Sequence, residues 1–441
     1  MSANLPSPRA SATAPDARFC AIDFGTSNSA IALPAAPGQV RLVNVEAGQP
    51  TMPTAVFYTM EGQPAHGEPR RLYGRAALSA YVEGVEGRLM RSMKSVLGSS
   101  LVEQATDVGG GSSVKFLDII AGYLRHLKGL AEAEAGGPIH RAVLGRPVFF
   151  VDDDPERDAA AQAALAAAAR QVGFDEIAFQ FEPIAAALDY EATTTHEQLV
   201  LVADIGGGTS DFSVVRVGPG RGERLDRSQD LLASHGVHVA GTDFDRHIEL
   251  AAVLPLAGFK ARGPKPGERE VPSKVYFDLA TWHLINTVYT PQRVMELRSM
   301  KKFYADERLH TRLMTLIDDR LGHAMMAEAE AAKITVAGGQ AAHIDLYALE
   351  RGLSAELSEP HAMAALENDL ERIVQAGVET VRMAGVLPDA IEAVYLTGGS
   401  TGLAPLAQRI AAPFSRARTV RGDRLASVAQ GLGLHAQRVF R

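Results

Sequence analysis

Two short stretches of this sequence share one unusual pattern. Residues 21–29 read AIDFGTSNS and residues 203–211 read ADIGGGTSD, so each places an aspartate, a glycine turn and a Thr-Ser pair between apolar runs. The first strand breaks at Gly25 and resumes as SAIALP, and the residues SVVRV after the second turn alternate as a strand does. Both stretches are therefore predicted to be β-hairpins, and two matching hairpins predict a fold of two related halves.

A glycine-rich turn of this kind is suited to binding phosphate. Glycine permits backbone conformations that gather several N–H groups around one point, and Thr or Ser hydroxyls add donors. An aspartate at the end of the preceding strand faces the same phosphates, where Mg²⁺ with its waters can separate the negative charges. Asp23 and Asp204 are therefore predicted to be Mg²⁺ partners, on two turns that hold a triphosphate from both sides. Either turn alone could equally be an ordinary β-turn.

Two common phosphate-binding motifs do not fit this sequence. No G-x-x-x-x-G-K-[ST] segment is present, which argues against a P-loop. Gly206, Gly207 and Gly208 lead into a predicted strand, whereas a dinucleotide-binding Rossmann fold needs a helix there.

Length and composition limit the remaining possibilities. The chain has 441 residues with 46% hydrophobic content, enough for a large core, and this length suggests about three domains of ordinary size or two large lobes. A net charge of -8 gives no basic field for nucleic acid or for an acidic membrane surface. No apolar run approaches the length of a membrane span. Cys20 is the single cysteine, and residues 1–18 lack the apolar segment of a secretion signal, so we expect a disordered tail and a cytoplasmic protein.

The rest of the sequence alternates strand and helix patterns. A buried strand is predicted over residues 142–151, followed by an alanine-rich helix over 154–172. The segment EIAFQFEPIAAALDY is predicted to be a strand that leads into a helix, and residues 393–406 to be a strand, a glycine turn and a helix. Apolar residues from Met363 to Val381 have helical spacing, and residues 260–274 are predicted to be a surface loop.

Several motifs together resemble a known family. AIDFGTSNSAIAL, FEPIAAALDY, VADIGGGTSDFSVV, GTDFD and VYLTGGST occur in the order seen in the ATPase domain of the heat-shock 70 (DnaK) chaperones, within the actin-like ATPase superfamily. The resemblance covers nearly the whole chain from residue 19. Details such as GRPVFF and GLGLHAQRVFR are most similar to the YegD-like branch, whose members resemble the ATPase domain without the peptide-binding half.

This resemblance implies an α/β, actin-like fold of two related lobes, each with a mixed sheet flanked by helices around a nucleotide cleft. The lobes are expected at residues 19–198 and 199–441, with the C-terminal helix packing back near the first lobe. The sequence ends at Arg441, where chaperones of this family continue into a peptide-binding domain, so that domain is expected to be absent.

The resemblance also implies ATP and Mg²⁺ as ligands and assigns the phosphate loops. In the first loop, Asp23 is the carboxylate on the metal side. In the second loop, Asp204 and Asp211 lie beside the glycines. The residues matched to the two loops are Gly25, Thr26 and Ser27 in the first, and Gly206, Gly207, Gly208 and Thr209 in the second.

Lys94 matches the family lysine that orients the attacking water and stabilises the γ-phosphate. An ammonium there can offset the charge that develops in phosphoryl transfer. Glu182 matches a carboxylate that helps place the water shell of the metal. Without the resemblance, Lys94 is a solvated surface lysine, and Glu182 is an acid favoured by the helix dipole next to Pro183. With Asp204, Thr209 and Asp211, these two residues form the predicted catalytic set.

For the nucleoside, the resemblance assigns Gly398, Gly399 and Ser400 to the adenosine loop, and Glu330 and Lys333 to the helix that contacts ribose and base. As alternatives, Glu330 and Lys333 form an ordinary surface ion pair at i and i+3.

Gly241 matches a glycine near the phosphates, whereas Asp243 and Asp245 could be solvated turn acids. Two positions depart from the family pattern. Gly402 replaces an arginine that stacks on adenine, and Ala337 replaces a serine, so selectivity for the base is in question.

Two further sets of residues receive less specific roles. Pro147 and Arg157 match a proline and an arginine that couple nucleotide state to the other half of the chaperones. His235, His238 and His247 are interpreted as ordinary histidines and not as metal ligands, because no cysteine is nearby.

The predicted function is an ATP-binding, slowly ATP-hydrolysing, chaperone-like protein whose lobe motion is gated by nucleotide. Its expected partners are ATP or ADP and a protein of unknown identity, with neither nucleic acid nor membrane. One alternative is a small-molecule kinase of the same superfamily, which would need a base to deprotonate an acceptor hydroxyl. A second alternative is a non-catalytic, nucleotide-gated scaffold or a filament-forming protein.

Overall fold

The computed structural model describes residues 18–60, 70–109, 112–151, 154–265, 269–422 and 426–440. The tail predicted over residues 1–18 therefore lies outside the described residues, apart from Arg18. The strands are β1 (Phe19–Phe24), β2 (Asn28–Ala36), β3 (Gln39–Leu42), β4 (Thr51–Pro53), β5 (Ala55–Thr59), β6 (Arg71–Tyr73), β7 (Gly87–Arg91), β8 (Ala105–Gly109), β9 (Ser112–Lys115), β10 (Arg141–Arg146), β11 (Glu176–Phe181), β12 (Gln198–Ile205), β13 (Ser210–Val217), β14 (Leu231–Val237), β15 (Ala342–Asp345), β16 (Ser354–Leu357), β17 (Ile391–Thr397) and β18 (Arg418–Arg421). The helices are α1 (Gly74–Val82), α2 (Phe116–Ala135), α3 (Pro155–Gln171), α4 (Glu182–Glu191), α5 (Gly241–Ile248), α6 (Lys274–Leu279), α7 (Pro291–Ser299), α8 (Glu307–Asp318), α9 (Gly322–Ala337), α10 (Glu359–Met383), α11 (Ala404–Ala411) and α12 (Ser427–Val439).

The described chain divides into two compact units. Unit 1 contains residues from Met1–Arg75, Ser92–Ala185 and Val428–Arg441, and unit 2 contains residues from Ala76–Arg91 and Ala186–Ser427. The sequence predicts a single boundary at residues 198 and 199, whereas this division falls inside α4 and assigns residues 76–91 to unit 2. A pattern of apolar spacing is continuous along a helix, so it cannot locate a boundary within one.

Unit 1 is built on a mixed sheet in the order β11-β10-β1-β2-β3, with β4 also paired to β2. Strands β1 and β2 form an antiparallel hairpin, in which Asp23 lies opposite Ala30. On its other edge β1 pairs in parallel with β10, and β10 pairs in parallel with β11. Helix α3 connects β10 to β11, and its N-cap Asp154 accepts a hydrogen bond from the N–H of Arg157. The alanine-rich helix predicted here is therefore confirmed.

Unit 2 repeats the same arrangement in the order β14-β13-β12-β17-β18. Strands β12 and β13 are antiparallel and place Asp204 opposite Asp211, while β12–β17 and β17–β18 are parallel. Helix α11 connects β17 to β18, as α3 connects β10 to β11. The two predicted hairpins thus occupy equivalent places in two sheets with the same strand order and directions. This confirms the two related halves of the α/β, actin-like fold predicted from the sequence.

The core of unit 2 lies between its sheet and its helices. Phe212 of β13 and Phe244 of α5 are buried, and α10 contributes Leu366, Leu370 and Ile373 from one face. These three positions recur at the helical period, which explains why a long helix was predictable over this segment. The sequence and structure agree on the end of this helix before Gly385 and Pro388.

One predicted strand is shorter than expected. The apolar run over residues 142–151 predicts a continuous strand, but β10 ends at Arg146. Pro147 has no N–H with which to extend the ladder. The Arg146 guanidinium instead donates to the carbonyls of Pro147 and Val148, and Phe149 is exposed. The strand prediction was therefore wrong beyond Arg146.

The surface loop predicted over residues 260–274 is described only in part. Residues 266–268 of the predicted loop over 260–274 are not described, and on either side of them Arg262 and Glu270 form an isolated bridge. In the described ranges, none of the helices combines the length and the apolar character needed to cross a membrane.

Candidate functional site

The first predicted phosphate turn lies between β1 and β2 in unit 1. A Cβ atom at Gly25 would lie 2.2 Å from the carbonyl oxygen of Asn28, so the turn requires glycine at this position. Thr54 holds the turn through its hydroxyl, which donates to the Gly25 carbonyl at 2.8 Å, and its N–H, which donates to the Ser27 carbonyl at 2.9 Å. Sequence analysis missed Thr54, because a single threonine outside the motif carries no local signal.

Lys94 and Glu182 come together inside unit 1. Lys94 lies in a 3-10 helix, Met93–Val96, and its side chain is largely buried. Its Nζ is 2.5 Å from Oε1 of Glu182, the first residue of α4. A Cβ atom at Gly145 would lie 3.3 Å from the same Glu182 oxygen, so glycine leaves room for this carboxylate. The alternative of a solvated surface lysine at position 94 is therefore wrong, whereas Glu182 does begin a helix, as both of its interpretations require.

The second predicted phosphate turn joins β12 to β13 in unit 2. The Gly206 N–H donates to the Thr209 carbonyl at 2.9 Å and closes the turn. The Thr209 hydroxyl donates to Asp211 Oδ2 at 2.7 Å, which fixes the side chain of Thr209 beside the glycines. A Cβ atom at Gly208 would meet nothing within 4 Å, so there is space next to the turn at this residue.

Two distant segments bind the carbonyl groups of this second turn. The carbonyl of Gly206 accepts from the Gly241 N–H at 3.2 Å and from the Ser400 hydroxyl at 2.8 Å. The carbonyl of Gly207 accepts from the N–H of Thr242 at 2.8 Å. Two carbonyl oxygens that would repel an anion are thus held by donors of the protein itself. The structure brings together three glycine-containing segments that the sequence placed at the nucleotide.

Gly398 allows the end of β17 to approach Asp204 closely. Its φ of +85° lies in the region that favours glycine. A Cβ atom there would lie 2.5 Å from Asp204 Oδ1 and 2.4 Å from the Ile205 carbonyl oxygen. The position of the Asp204 carboxylate therefore depends on a glycine at residue 398.

The charged partner of Lys333 is Asp245. Lys333 Nζ lies 2.5 Å from Asp245 Oδ1 and donates to the Gly241 carbonyl at 3.4 Å. Burial raises the pKa of Asp245 to about 6, and Lys333 partly opposes this shift. Asp243 accepts from the N–H of Ala240 at 3.0 Å at the start of α5. The interpretations of Asp245 as a solvated turn acid and of Lys333 as a surface ion-pair partner of Glu330 were wrong, because Asp245 is buried and pairs with Lys333.

A cavity of about 190 Å³ opens beside these residues in unit 2. Its lining includes Lys333 and Ile334 of α9, Ser400 of the third glycine segment, and both positions that depart from the family pattern, Ala337 and Gly402. Glu330 lies one helical turn before Ile334 on α9 and is exposed. The structure therefore places most of the residues predicted to contact the nucleoside around one cavity.

Two predicted residues with less specific roles make local contacts. The Arg157 guanidinium donates to the Gly98 carbonyl at 2.6 Å, so this arginine connects α3 to the end of the segment that carries Lys94. His247 Nδ1 lies 2.7 Å from Asp369 Oδ2, an ordinary pairing of a histidine with a carboxylate.

Comparisons with known proteins show which family the chain is similar to. The model of the Hsp70 protein family matches residues 19–253. The chaperone protein DnaK of Thermosipho melanesiensis is 32% identical over 228 residues, which cover 52% of this chain and 34% of that protein. DnaK of Thermotoga neapolitana is 33% identical over 229 residues with the same coverage of both chains.

This chain thus spans about a third of the length of the curated relatives that it matches. The family match includes both hairpin turns, Lys94, Glu182 and Gly241, and it covers more than half of the sequence. This protein therefore belongs to the Hsp70 family.

Proposed function

We propose that this protein binds ATP with Mg²⁺ and hydrolyses the nucleotide slowly. The observation that carries the proposal is the convergence of Gly206, Gly241 and Ser400 at the second turn, where the Gly206 carbonyl is bound by donors from two other segments. This arrangement removes carbonyl repulsion from a turn that has space beside Gly208. Such a turn suits the anionic oxygens of a phosphate.

The residues also fit a magnesium ion. Asp23 and Asp204 each lie at the end of a strand that leads into a predicted phosphate turn, and oxygen ligands of this kind suit Mg²⁺ that keeps several waters. When bound, Mg²⁺ would neutralise charge on the β- and γ-phosphates. In this proposal Asp23 and Asp204 hold the ion through water, and the turns over residues 25–27 and 206–209 bind the phosphates.

The buried lysine supplies the chemistry of the proposed reaction. The hydrogen bond to Glu182 holds the Lys94 ammonium at a fixed position inside unit 1. A fixed positive charge stabilises a transition state more than a mobile charge does, because the protein need not reorganise as negative charge develops. Lys94 is proposed to stabilise the attacked γ-phosphate and orient water, Glu182 to position Lys94 and the waters of the metal, and Thr209 with Asp211 to order the second turn.

The chaperone-like role is the broader part of the proposal. The matched relatives are named chaperone protein DnaK, and this chain matches about a third of their length. We propose that nucleotide gates a motion of the two lobes and that this motion acts on a protein partner. Membership of the YegD-like branch and a cytoplasmic location stay predictions from the sequence.

A single-turnover assay tests this function. Excess protein is mixed with a trace of ATP labelled at the γ-phosphate, and both free phosphate and labelled acceptors are measured over time. We expect slow, first-order release of free phosphate that requires Mg²⁺ and stops when EDTA is added. Binding of ATP without phosphate release would support the scaffold alternative. Labelled phosphate transferred to an added sugar or to acetate would support the kinase alternative.

A further inference from the structure

The cavity in unit 2 has an exposed isoleucine in its wall. Ile334 of α9 is 61% exposed although it is a large apolar side chain, and it lines the cavity beside Lys333. An apolar side chain exposed at a cavity gains free energy when a flat apolar group covers it. On the same cavity, Gly402 contributes no side chain, which leaves room for such a group.

The two polar side chains that line this cavity already bond elsewhere. The Ser400 hydroxyl donates its single proton to the Gly206 carbonyl at 2.8 Å. The Lys333 ammonium lies 2.5 Å from Asp245 and contacts the Gly241 carbonyl. The other lining side chains, which have no hydrogen-bonding group, are Phe244, Ile334, Ala337 and Leu403. Among the described residues, the lining side chains therefore offer a ligand mainly shape and apolar contact, since Ser400 keeps only its acceptor capacity and two of the three Lys333 N–H groups have partners within the fold.

An apolar pocket discriminates poorly between ligands that have the same shape but different polar groups. A site that hydrogen-bonds a specific group rejects an analogue without that group by several orders of magnitude, because its own polar atoms lose their partners. An apolar pocket has no such atoms and cannot strongly reject an isostere that carries a different polar group. Adenine, hypoxanthine and guanine share one purine ring system and differ in the groups on its edge.

We propose that this cavity holds the base of the nucleotide by apolar packing against Ile334, so that the protein binds purine nucleotides with little preference for adenine. This inference rests on the proposed function, since it concerns the base of the same nucleotide. Affinity then comes mainly from the phosphates and from contact of the ring with Ile334, and the substrate class widens from ATP to purine nucleoside triphosphates.

Calorimetric titration of the full chain with ADP, IDP and GDP, each with Mg²⁺, tests this inference. We expect the three dissociation constants to agree within about tenfold, below the roughly hundredfold by which even an apolar pocket can reject an isostere. Ile334→Ala is expected to weaken all three by a similar factor, about three- to tenfold, because each base loses the same apolar contact. Thr335→Ala is the matched control, since Thr335 is an exposed, β-branched neighbour on α9 whose hydroxyl donates to the Ala331 carbonyl of its own helix.

The outcomes separate the inference from the function on which it rests. Inorganic triphosphate, which has no base, should bind the parent and Ile334→Ala equally. If ADP binds and either GDP or IDP binds more than about tenfold more weakly, the function stands and the inference is overturned. An unchanged affinity for all three nucleotides in Ile334→Ala overturns it as well. If none of the nucleotides binds, the proposed function itself fails and the inference falls with it.

Discussion

The Nζ atom of Lys94 lies 2.5 Å from Oε1 of Glu182, and the two residues are 88 positions apart in the chain. Both side chains are largely buried in unit 1, where a charge without a partner is costly. Each group therefore limits where the other can lie. The proposed role of Lys94 in phosphate chemistry depends on this fixed position.

Lys94→Ala is expected to separate binding from chemistry. Because the ammonium is proposed to act mainly on the transition state, ATP affinity should stay within a few-fold of the parent while the single-turnover rate falls by about a hundredfold or more. Titration calorimetry measures the first quantity and phosphate release the second.

Lys128→Ala is the matched control for this variant. Lys128 is another buried lysine of unit 1, with the same 8% exposure as Lys94, and it pairs with Glu132 at 3.1 Å. Its replacement removes a buried ion pair away from the predicted phosphate residues, so the rate should be unchanged even if the protein is less stable. Equal phosphate release by Lys94→Ala and the parent would contradict the role of Lys94.

Asp23→Asn and Asp204→Asn should each raise the Mg²⁺ concentration needed for ATP binding or turnover. Loss of one negative oxygen that holds a water of the metal is expected to cost tenfold or more, or about 1.4 kcal/mol. Titration of Mg²⁺ at fixed ATP measures the change. Asp345→Asn is a suitable control, because Asp345 also ends a strand but is exposed, and its carboxylate accepts from the N–H of the nearby Tyr347. Unchanged Mg²⁺ dependence in both test variants would refute the paired-turn proposal.

Gly398→Ala is expected to disturb Asp204 as well as the backbone. Gly339 provides the comparison, since its φ of +84° nearly equals the +85° of Gly398 but a Cβ atom there meets nothing within 4 Å. Gly339→Ala should therefore cost only the backbone strain, about 1 kcal/mol. Gly398→Ala should cost more and also weaken ATP binding, because its Cβ would collide with Asp204. Urea unfolding and calorimetry compare the two, and equal effects would show that the close approach to Asp204 is unimportant.

Glu249 makes stability depend on pH. It is fully buried in a π-helix, Glu249–Val253, and within the described residues neither carboxylate oxygen has a hydrogen-bond partner. Burial raises its pKa well above the ordinary 4.5, and the charge of Asp245 adds to this effect. The native state thus keeps a proton that the unfolded chain releases, so this contribution to stability is greatest at low pH and is lost as pH rises above about 4.5.

Glu249→Gln removes this titration. Its free energy of unfolding relative to the parent should rise with pH by up to about 1.4 kcal/mol for each pH unit. Urea unfolding between about pH 5.5 and about pH 7.5 gives the slope. Glu103→Gln, which changes a side chain that is 68% exposed, should give none. A difference between Glu249→Gln and the parent that does not change with pH would contradict the buried, protonated state.

The two hairpins were predictable because the residues that determine each of them are neighbours in the sequence. Glycine turns between alternating residues determine each hairpin, and the recurrence of the pattern at Asp23 and Asp204 indicates the duplication that the two sheets confirm. The contacts that complete the site are not local. Thr54 lies outside the turn that it supports and Asp245 pairs with Lys333 from a distant helix, and nothing in their own segments distinguishes them from solvated polar residues.

Besides these non-local contacts, the sequence could not show which polar side chains are buried. Lys94 lies in a segment without a clear helical or strand period, so only the family resemblance separated it from a surface lysine. The boundary inside α4 was hidden for a related reason, because the helical pattern does not change where the chain passes from one unit to the other.

Hydrogen exchange with and without Mg²⁺-ATP tests most directly whether both turns bind one nucleotide. We expect slower exchange in peptides that cover residues 25–27 and in peptides that cover residues 206–209, with no change in α3 and no protection when Mg²⁺ is omitted. Protection of both turns at the same nucleotide concentration is the predicted result. Saturation with Mg²⁺-ATP that leaves the exchange of either turn unchanged would contradict the proposal that both turns bind one nucleotide.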